Sequence, residues 1–239
     1  RVLMPGVAHE SMTLALMQDL NKQMDGKLGI AIQIFEGSYK RNFFHQMVSS
    51  QLDMDRMDYL NRDSFYTGVV EGAIGADRLI KMLDVKDDHL VVEEKGLLSI
   101  ENFLNARRLM YWQVYLHKTL MSTQAMLTQI LNRARELTKA GTVLFATPDL
   151  QLFLNTKFVL QDFYDRPELL VAFNNLDDHD IWVSVKVWTN HEDSILSNLC
   201  GSLLNRNLFK IMFLTTPPTA ELIDSLKDKL IESGVPVAD

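Results

Sequence analysis

From Ser99 to Lys139 the chain runs for 41 residues without a glycine or a proline. The run is rich in leucine, methionine, glutamine, alanine, arginine and lysine, all good helix formers. Ser99 offers an N-cap and Gly141 a stop. The spacing predicts one long helix over 99–139. An isolated helix of that length is not a fold, because its apolar stripe must be covered by other helices. The run therefore biases the whole chain toward a mainly α architecture.

The flanking sequence divides into shorter elements. Met12, Leu16, Leu20 and Met24 recur on one side of a helix over 8–24, after Pro5 and Gly6. IAIQIFEG and NFFHQMVSSQL read as two short helices parted by the Gly37–Arg41 turn, and residues 53–63 and 70–83 as two more. DVKDDHLVVEEKG alternates around an Asp-Asp turn and predicts a hairpin. Beyond Gly141 the pattern changes. TVLFAT and residues 148–172 read as helices linked at Pro148. IWVSVKVW (181–188) alternates with period two and predicts a strand, as does LFKIMFLT (208–215). HEDSILSNLCGSLLN and TAELIDSLKDKLIES read as helices. The expected organisation is a helical core over 1–145 and a smaller α+β subdomain over 146–239.

Charge is unevenly placed. Residues 146–239 hold 7 Lys and Arg against 14 Asp and Glu, whereas residues 1–145 hold 17 of each. All of the net charge of −7 thus falls in the second section. Bulk acidity argues against a general nucleic-acid binder, but not against a small phosphate ligand. No apolar run reaches the length of a membrane span, and no signal peptide is visible, so a cytoplasmic location is expected. Cys200 is the sole cysteine and lies in the apolar segment SILSNLCGSLL, which reads as a buried thiol rather than a nucleophile.

The stretch DMDRMDYLNRDSFYTG (53–68) crowds acids, bases and phenols together. On a helix Asp55, Tyr59 and Asp63 share one stripe, flanked by Arg56 and Arg62. Carboxylates suit a hard divalent cation, whereas arginine and phenol suit a phosphate. The same pattern also fits a solvated surface helix with ion pairs. The stretch resembles the final metal-binding helix of HD-domain phosphohydrolases, in the branch containing deoxynucleoside triphosphate triphosphohydrolases. That helix reads D-x-D-[RK]-x-D-Y-x-x-R-D, and every fixed position is filled here between Asp53 and Asp63. The resemblance implies that Asp55 is the terminal metal ligand and that Arg56, Tyr59 and Asp63 contact substrate phosphates and sugar.

Two further segments carry the resemblance. His9–Glu10, in PGVAHESM, matches a His-Glu pair whose histidine protonates the leaving group. Packing on a stripe with Thr13, Leu16 and Leu20 is the competing reading for His9. In ENFLNARRLMYWQVYLHKT, Arg107, Tyr111, Tyr115 and Lys118 share a helix face. The resemblance makes Arg107 a phosphate-binding residue and places Tyr111 beside the substrate. It matches Lys95, His117 and Lys118 to positions that bind an effector nucleotide. Tyr111, Trp112 and Tyr115 equally suit core or subunit packing.

The branch also uses an upstream histidine and a His-Asp pair to hold its metal, and neither precedes His9. The only His-Asp dipeptide is His179–Asp180, on the wrong side of Asp55, which reads as a turn capping the 181–188 strand. Either the first metal helices lie outside this sequence or the protein lacks them. The resemblance implies an HD-domain helical core and a mono- or dinuclear site using Mg²⁺, Mn²⁺ or a similar metal. It implies hydrolysis of a deoxynucleoside triphosphate to nucleoside and triphosphate, with no membrane partner, in a homodimer or homotetramer. The alternatives are a hydrolase for another nucleotide or phosphomonoester, and an inactive HD-like module that binds nucleotides or bridges subunits.

Overall fold

A computed structural model describes residues 2–232 and divides the chain into two compact units. The first unit comprises Leu3–Leu120 and Lys157–Asn175, and the second comprises Met121–Thr156 and the residues from Leu176 on.

The first unit opens with α1 (His9–Gln23), α2 (Gly29–Glu36), α3 (Asn42–Val48) and α4 (Met54–Thr67). The turns after α2 and α4 close on Gly37 and Gly68, both at φ 72°, a left-handed conformation that glycine adopts without strain. A 3₁₀ turn (Val70–Gly72) leads to α5 (Ala76–Lys81), where the sequence suggested one continuous helix. The expected hairpin is present as β1 (Leu83–Lys86) and β2 (His89–Val92), antiparallel, with Leu83 opposite Val92. Asp88 at its tip is tied to the start of α3. Its carboxylate accepts from Arg41 Nε (2.8 Å) and from the Asn42 amide (2.7 Å). These bonds hold its pKa below the usual carboxylate range, with the Arg41 bond the larger cause.

The long uninterrupted run does not form one helix. It becomes α6 (Leu97–Met110), a π turn (Tyr111–Tyr115) and α7 (Lys118–Lys139). Leu116 N donates to Tyr111 O at 2.7 Å, five residues back, which widens the helix without glycine or proline. Gly96, rather than Ser99, precedes α6. α4, α5 and α6 close over a core of Met57, Leu60, Ile74, Leu79, Phe103, Ala106 and Met110. A Cβ on Gly72 would collide with Met110 Sδ and Cγ, so the turn can approach α6 only without a side chain. After the second unit's α8 (Pro148–Asn155) the chain returns as α9 (Leu160–Asp165) and α10 (Pro167–Asn175). There Phe163 meets Phe158 and Phe173 edge-on.

The second unit holds most of α7, α8, α11 (Asp178–Trp188), α12 (Ser194–Leu204) and α13 (Ala220–Glu232). Both expected strands are absent, and no sheet forms among the described residues after residue 141. Residues 181–188 lie in α11, and residues 208–215 are irregular. Asp177 opens α11 by accepting from the amides of His179 (2.7 Å) and Asp180 (3.3 Å), and Asp180 Oδ2 in turn accepts from Asp177 N (2.8 Å). This capping box and the burial of Ser184, Val185 and Trp188 at helical spacing override the period-two alternation. His179–Asp180 is thus a helix cap, not a strand cap. TVLFAT is irregular rather than helical, because Thr147 precedes Pro148 and Phe145 O accepts from Trp188 Nε1 (2.8 Å). Arg133 pairs with Asp193 at 2.7 Å and joins α7 to the start of α12. Cys200 is buried and burial pushes its thiol up to about 12, as its apolar setting suggested. No helix among the described residues is long and apolar enough to cross a membrane.

Candidate functional site

The acidic strip separates into parts with different duties. Asp53 is buried and caps α4: Oδ1 accepts from Arg56 N (2.8 Å) and Oδ2 from Ser50 N (3.2 Å). A cap of this kind contributes about 1 kcal/mol. Arg56 Nε donates to Ser50 O (2.8 Å) and lies 3.2 Å from Asp53 Oδ2, so the guanidinium that the sequence assigned to substrate also ties the entry loop to the helix. Asp58 and Arg62 form an exposed ion pair one turn apart, the solvated-surface reading realised on one face only. Asp55 is exposed at the first turn of α4.

The opposite end of α4 meets the π turn. Tyr115 donates its hydroxyl proton to Asp63 Oδ2 at 2.5 Å. The Tyr115 ring sits edge-on to Tyr59, with centroids 6.1 Å apart, and to Tyr111, with centroids 5.2 Å apart. Arg107, one turn earlier, lies 5.9 Å above the Tyr111 ring and donates through Nη1 to Gln51 Oε1 at 2.9 Å. Arg107, Tyr111, Tyr115, Tyr59 and Asp63 thus form one continuous chain of contacts that joins α4 to the end of α6 and the π turn after it. Four of the five were named from the sequence as substrate residues. Tyr115 was not, although its place four residues after Tyr111 put it on the same face. Gln51 carried no signal, since its partner lies 56 positions away.

Burial and the bond to Asp63 push the Tyr115 pKa well above the ordinary phenol value of 10, with burial the larger cause. A raised pKa means that the folded protein holds the proton more tightly. The stabilisation is complete below the unfolded value near pH 10 and is lost as pH rises toward the folded value. Urea midpoints measured from pH 8 to 12 are expected to fall more steeply above pH 10 in the native protein than in Tyr115→Phe.

The other residues named from the sequence lie apart from this chain of contacts. His9 Nδ1 is 3.1 Å from Glu10 Oε2 at the start of α1, and the two side chains are 81% and 65% exposed. Lys95 pairs with Glu93 (2.5 Å) between β2 and α6. His117 Nδ1 accepts from Thr119 N (3.3 Å) just beyond the π turn, and Lys118 opens α7. Among the described residues no three of His, Cys, Asp or Glu converge as a metal site. Asp55 supplies one carboxylate where a hard divalent ion takes about six oxygen ligands. These residues alone do not fit a divalent metal.

Residues 74–157, which include α6 and α7, match the family described as HD associated region. The fold superposes with a TM-score of 0.92 on the crystal structure of a phosphohydrolase from Bacteroides thetaiotaomicron VPI-5482, 51% identical, covering 98% of this chain and 58% of that one. Among curated proteins, the uncharacterized YwfO of Bacillus subtilis is 34% identical over 194 residues, 81% of this chain and 42% of its own length. A deoxynucleoside triphosphate triphosphohydrolase SAMHD1 homolog of Dictyostelium discoideum is 23% identical over 241 residues, 95% of this chain and 42% of its own length. The chain spans less than half the length of these two curated relatives. HD phosphohydrolases are generally dependent on divalent metals. The chain is thus similar to an HD associated region over residues 74–157, and in fold to part of a protein described as a phosphohydrolase.

Proposed function

We propose that this chain is the substrate-contacting part of a phosphohydrolase that cleaves a deoxynucleoside triphosphate to deoxynucleoside and triphosphate. The observation that carries the reading is the joining of Asp63 to Tyr115, and of Tyr115 through Tyr111 to Arg107. The arrangement pairs a cationic fork with a carboxylate–phenol pair a short distance away. A nucleotide offers the matching groups, a polyphosphate and a sugar hydroxyl. In this reading Arg107 and Arg56 hold phosphate oxygens. The Asp63 carboxylate accepts from a sugar hydroxyl, and Tyr59 and Tyr111 wall the sugar. Water adds to the α-phosphorus, the bond from phosphorus to the 5′ oxygen breaks, and that oxygen takes a proton. His9 is the proposed donor of that proton, with Glu10 orienting its ring. Asp55 is proposed as one ligand of a Mg²⁺ or Mn²⁺ ion, whose other ligands lie outside the described residues. The likeness to the Dictyostelium triphosphohydrolase supports the choice of substrate.

One observation favours a second reading. The lack of convergent metal ligands among the described residues suits a module that binds a nucleotide without cleaving it. The two readings separate in one assay. The full-length protein is incubated with each of the four dNTPs and Mg²⁺ or Mn²⁺, and the products are resolved by ion-exchange chromatography. Inorganic triphosphate is expected. Release of monophosphate or diphosphate would move the reading to another phosphohydrolase reaction. Nucleotide binding without turnover would leave the binding module.

A further inference from the structure

The loop that enters α4 is braced from several sides. Ser50 N donates to Asp53 Oδ2 (3.2 Å), Leu52 N donates to Ser50 Oγ (3.2 Å), and Leu52 packs against the core of α4, α5 and α6. Gln51 stands between these fixed points. Both arginines assigned to phosphate are bonded to this loop. Arg56 Nε donates to Ser50 O at 2.8 Å, and Arg107 Nη1 donates to Gln51 Oε1 at 2.9 Å. One bond comes from α4 and the other from α6, yet the acceptors belong to adjacent residues. These bonds occupy little of either guanidinium, which carries five N–H donors. Among the described residues, both Nη groups of Arg56, and Nε and Nη2 of Arg107, stay free for an anion.

We infer that Gln51 is a positioning residue which, with the Ser50 carbonyl, sets Arg56 and Arg107 as one clamp, and that this clamp favours a polyphosphate over a single phosphate. The inference rests on the assignment of both arginines to phosphate in the proposed function. Arg107 is a long side chain at a half-exposed position, with many rotamers of its own. The bond to Gln51 selects one of them before a ligand arrives, so less ordering opposes binding. An amide oxygen does this without cancelling the guanidinium charge, as a carboxylate in its place would. Two cations held at a fixed spacing act together on linked phosphates. A lone phosphate is satisfied by one fork and draws no benefit from the spacing.

The test is calorimetric titration of the full-length protein with inorganic triphosphate and, separately, with orthophosphate. Gln51→Met keeps the length of the side chain and removes its acceptor. Gln51→Met and Gln51→Ala are each expected to weaken triphosphate binding by about tenfold, the loss of one hydrogen bond to a charged group. Orthophosphate binding is expected to weaken by no more than about twofold, since it does not use the spacing. Urea midpoints should stay at the native value, because Gln51 is exposed. In an Arg107→Ala background, Gln51→Met is expected to cause no further loss, because it acts through Arg107. Native-like triphosphate affinity in Gln51→Met would overturn the inference. So would equal losses for the two anions, a Gln51 effect that persists in full without Arg107, or a native protein that does not prefer triphosphate to orthophosphate. Hydrolysis is read separately. A native protein that binds triphosphate through Gln51 and Arg107 but releases none from any dNTP would remove the proposed reaction and leave the clamp standing.

Discussion

Phe103→Ala is expected to destabilise the protein by about 3–5 kcal/mol, seen as a lower urea midpoint. Phe103 is 1% exposed and lies in the core that α4, α5 and α6 share, with Met57, Leu60, Ile74, Leu79 and Met110 around it. Truncation removes the favourable burial of a ring and leaves a cavity that three packed elements cannot fill together. The paired control is Phe65→Ala. Phe65 sits on α4 at 79% exposure, and its loss should change stability by no more than about 0.5 kcal/mol. Equal effects in the two variants would mean that the first unit does not pack as described. The same core sets the spacing of α4 from α6, and with it the approach of Asp63 to Tyr115.

Arg107→Ala should lower kcat/KM for a deoxynucleoside triphosphate by about 10²-fold in the full-length protein. The guanidinium is held between the Gln51 amide and the Tyr111 ring, so it presents its donors without first being ordered. Lysine keeps the charge but loses the planar fork, and Arg107→Lys is expected to recover only part of the loss. Steady-state kinetics on the two variants decide the point. Activity equal to the native protein in Arg107→Ala would remove this residue from the substrate, and with it the main support for a polyphosphate ligand.

The first four helices were legible from local signals, whereas the helix expected over 70–83 is split into a 3₁₀ turn and α5. Gly37 ends its helix where the sequence placed a turn, α4 runs past the expected end at residue 63 to Thr67, and the hairpin formed around its Asp-Asp pair. The α4 strip was legible as a set of residues, but its division of labour was not. Asp53 becomes a cap, and Asp58 pairs with Arg62 in solvent. Asp63 finds Tyr115 only because α6 crosses nearby. Contacts between residues 52 or 56 positions apart leave no trace in a local pattern. At 181–188 the alternation pointed the wrong way, since a capping box a few residues earlier and the burial of Trp188 decided the outcome. The strand expected at 208–215 did not form either. The segment has no ladder partner among the described residues, and it touches α7 through Phe209 O, which accepts from Ser122 Oγ.

The π turn at Tyr111–Tyr115 also fixes which of its own side chains can reach α4. Tyr111 and Tyr115 stand edge-on with centroids 5.2 Å apart, and Tyr115 goes on to Asp63. Gaining or losing one residue between them would turn Tyr115 by about 100° about the helix axis and carry its hydroxyl away from Asp63. Length, more than composition, is what this segment has to preserve.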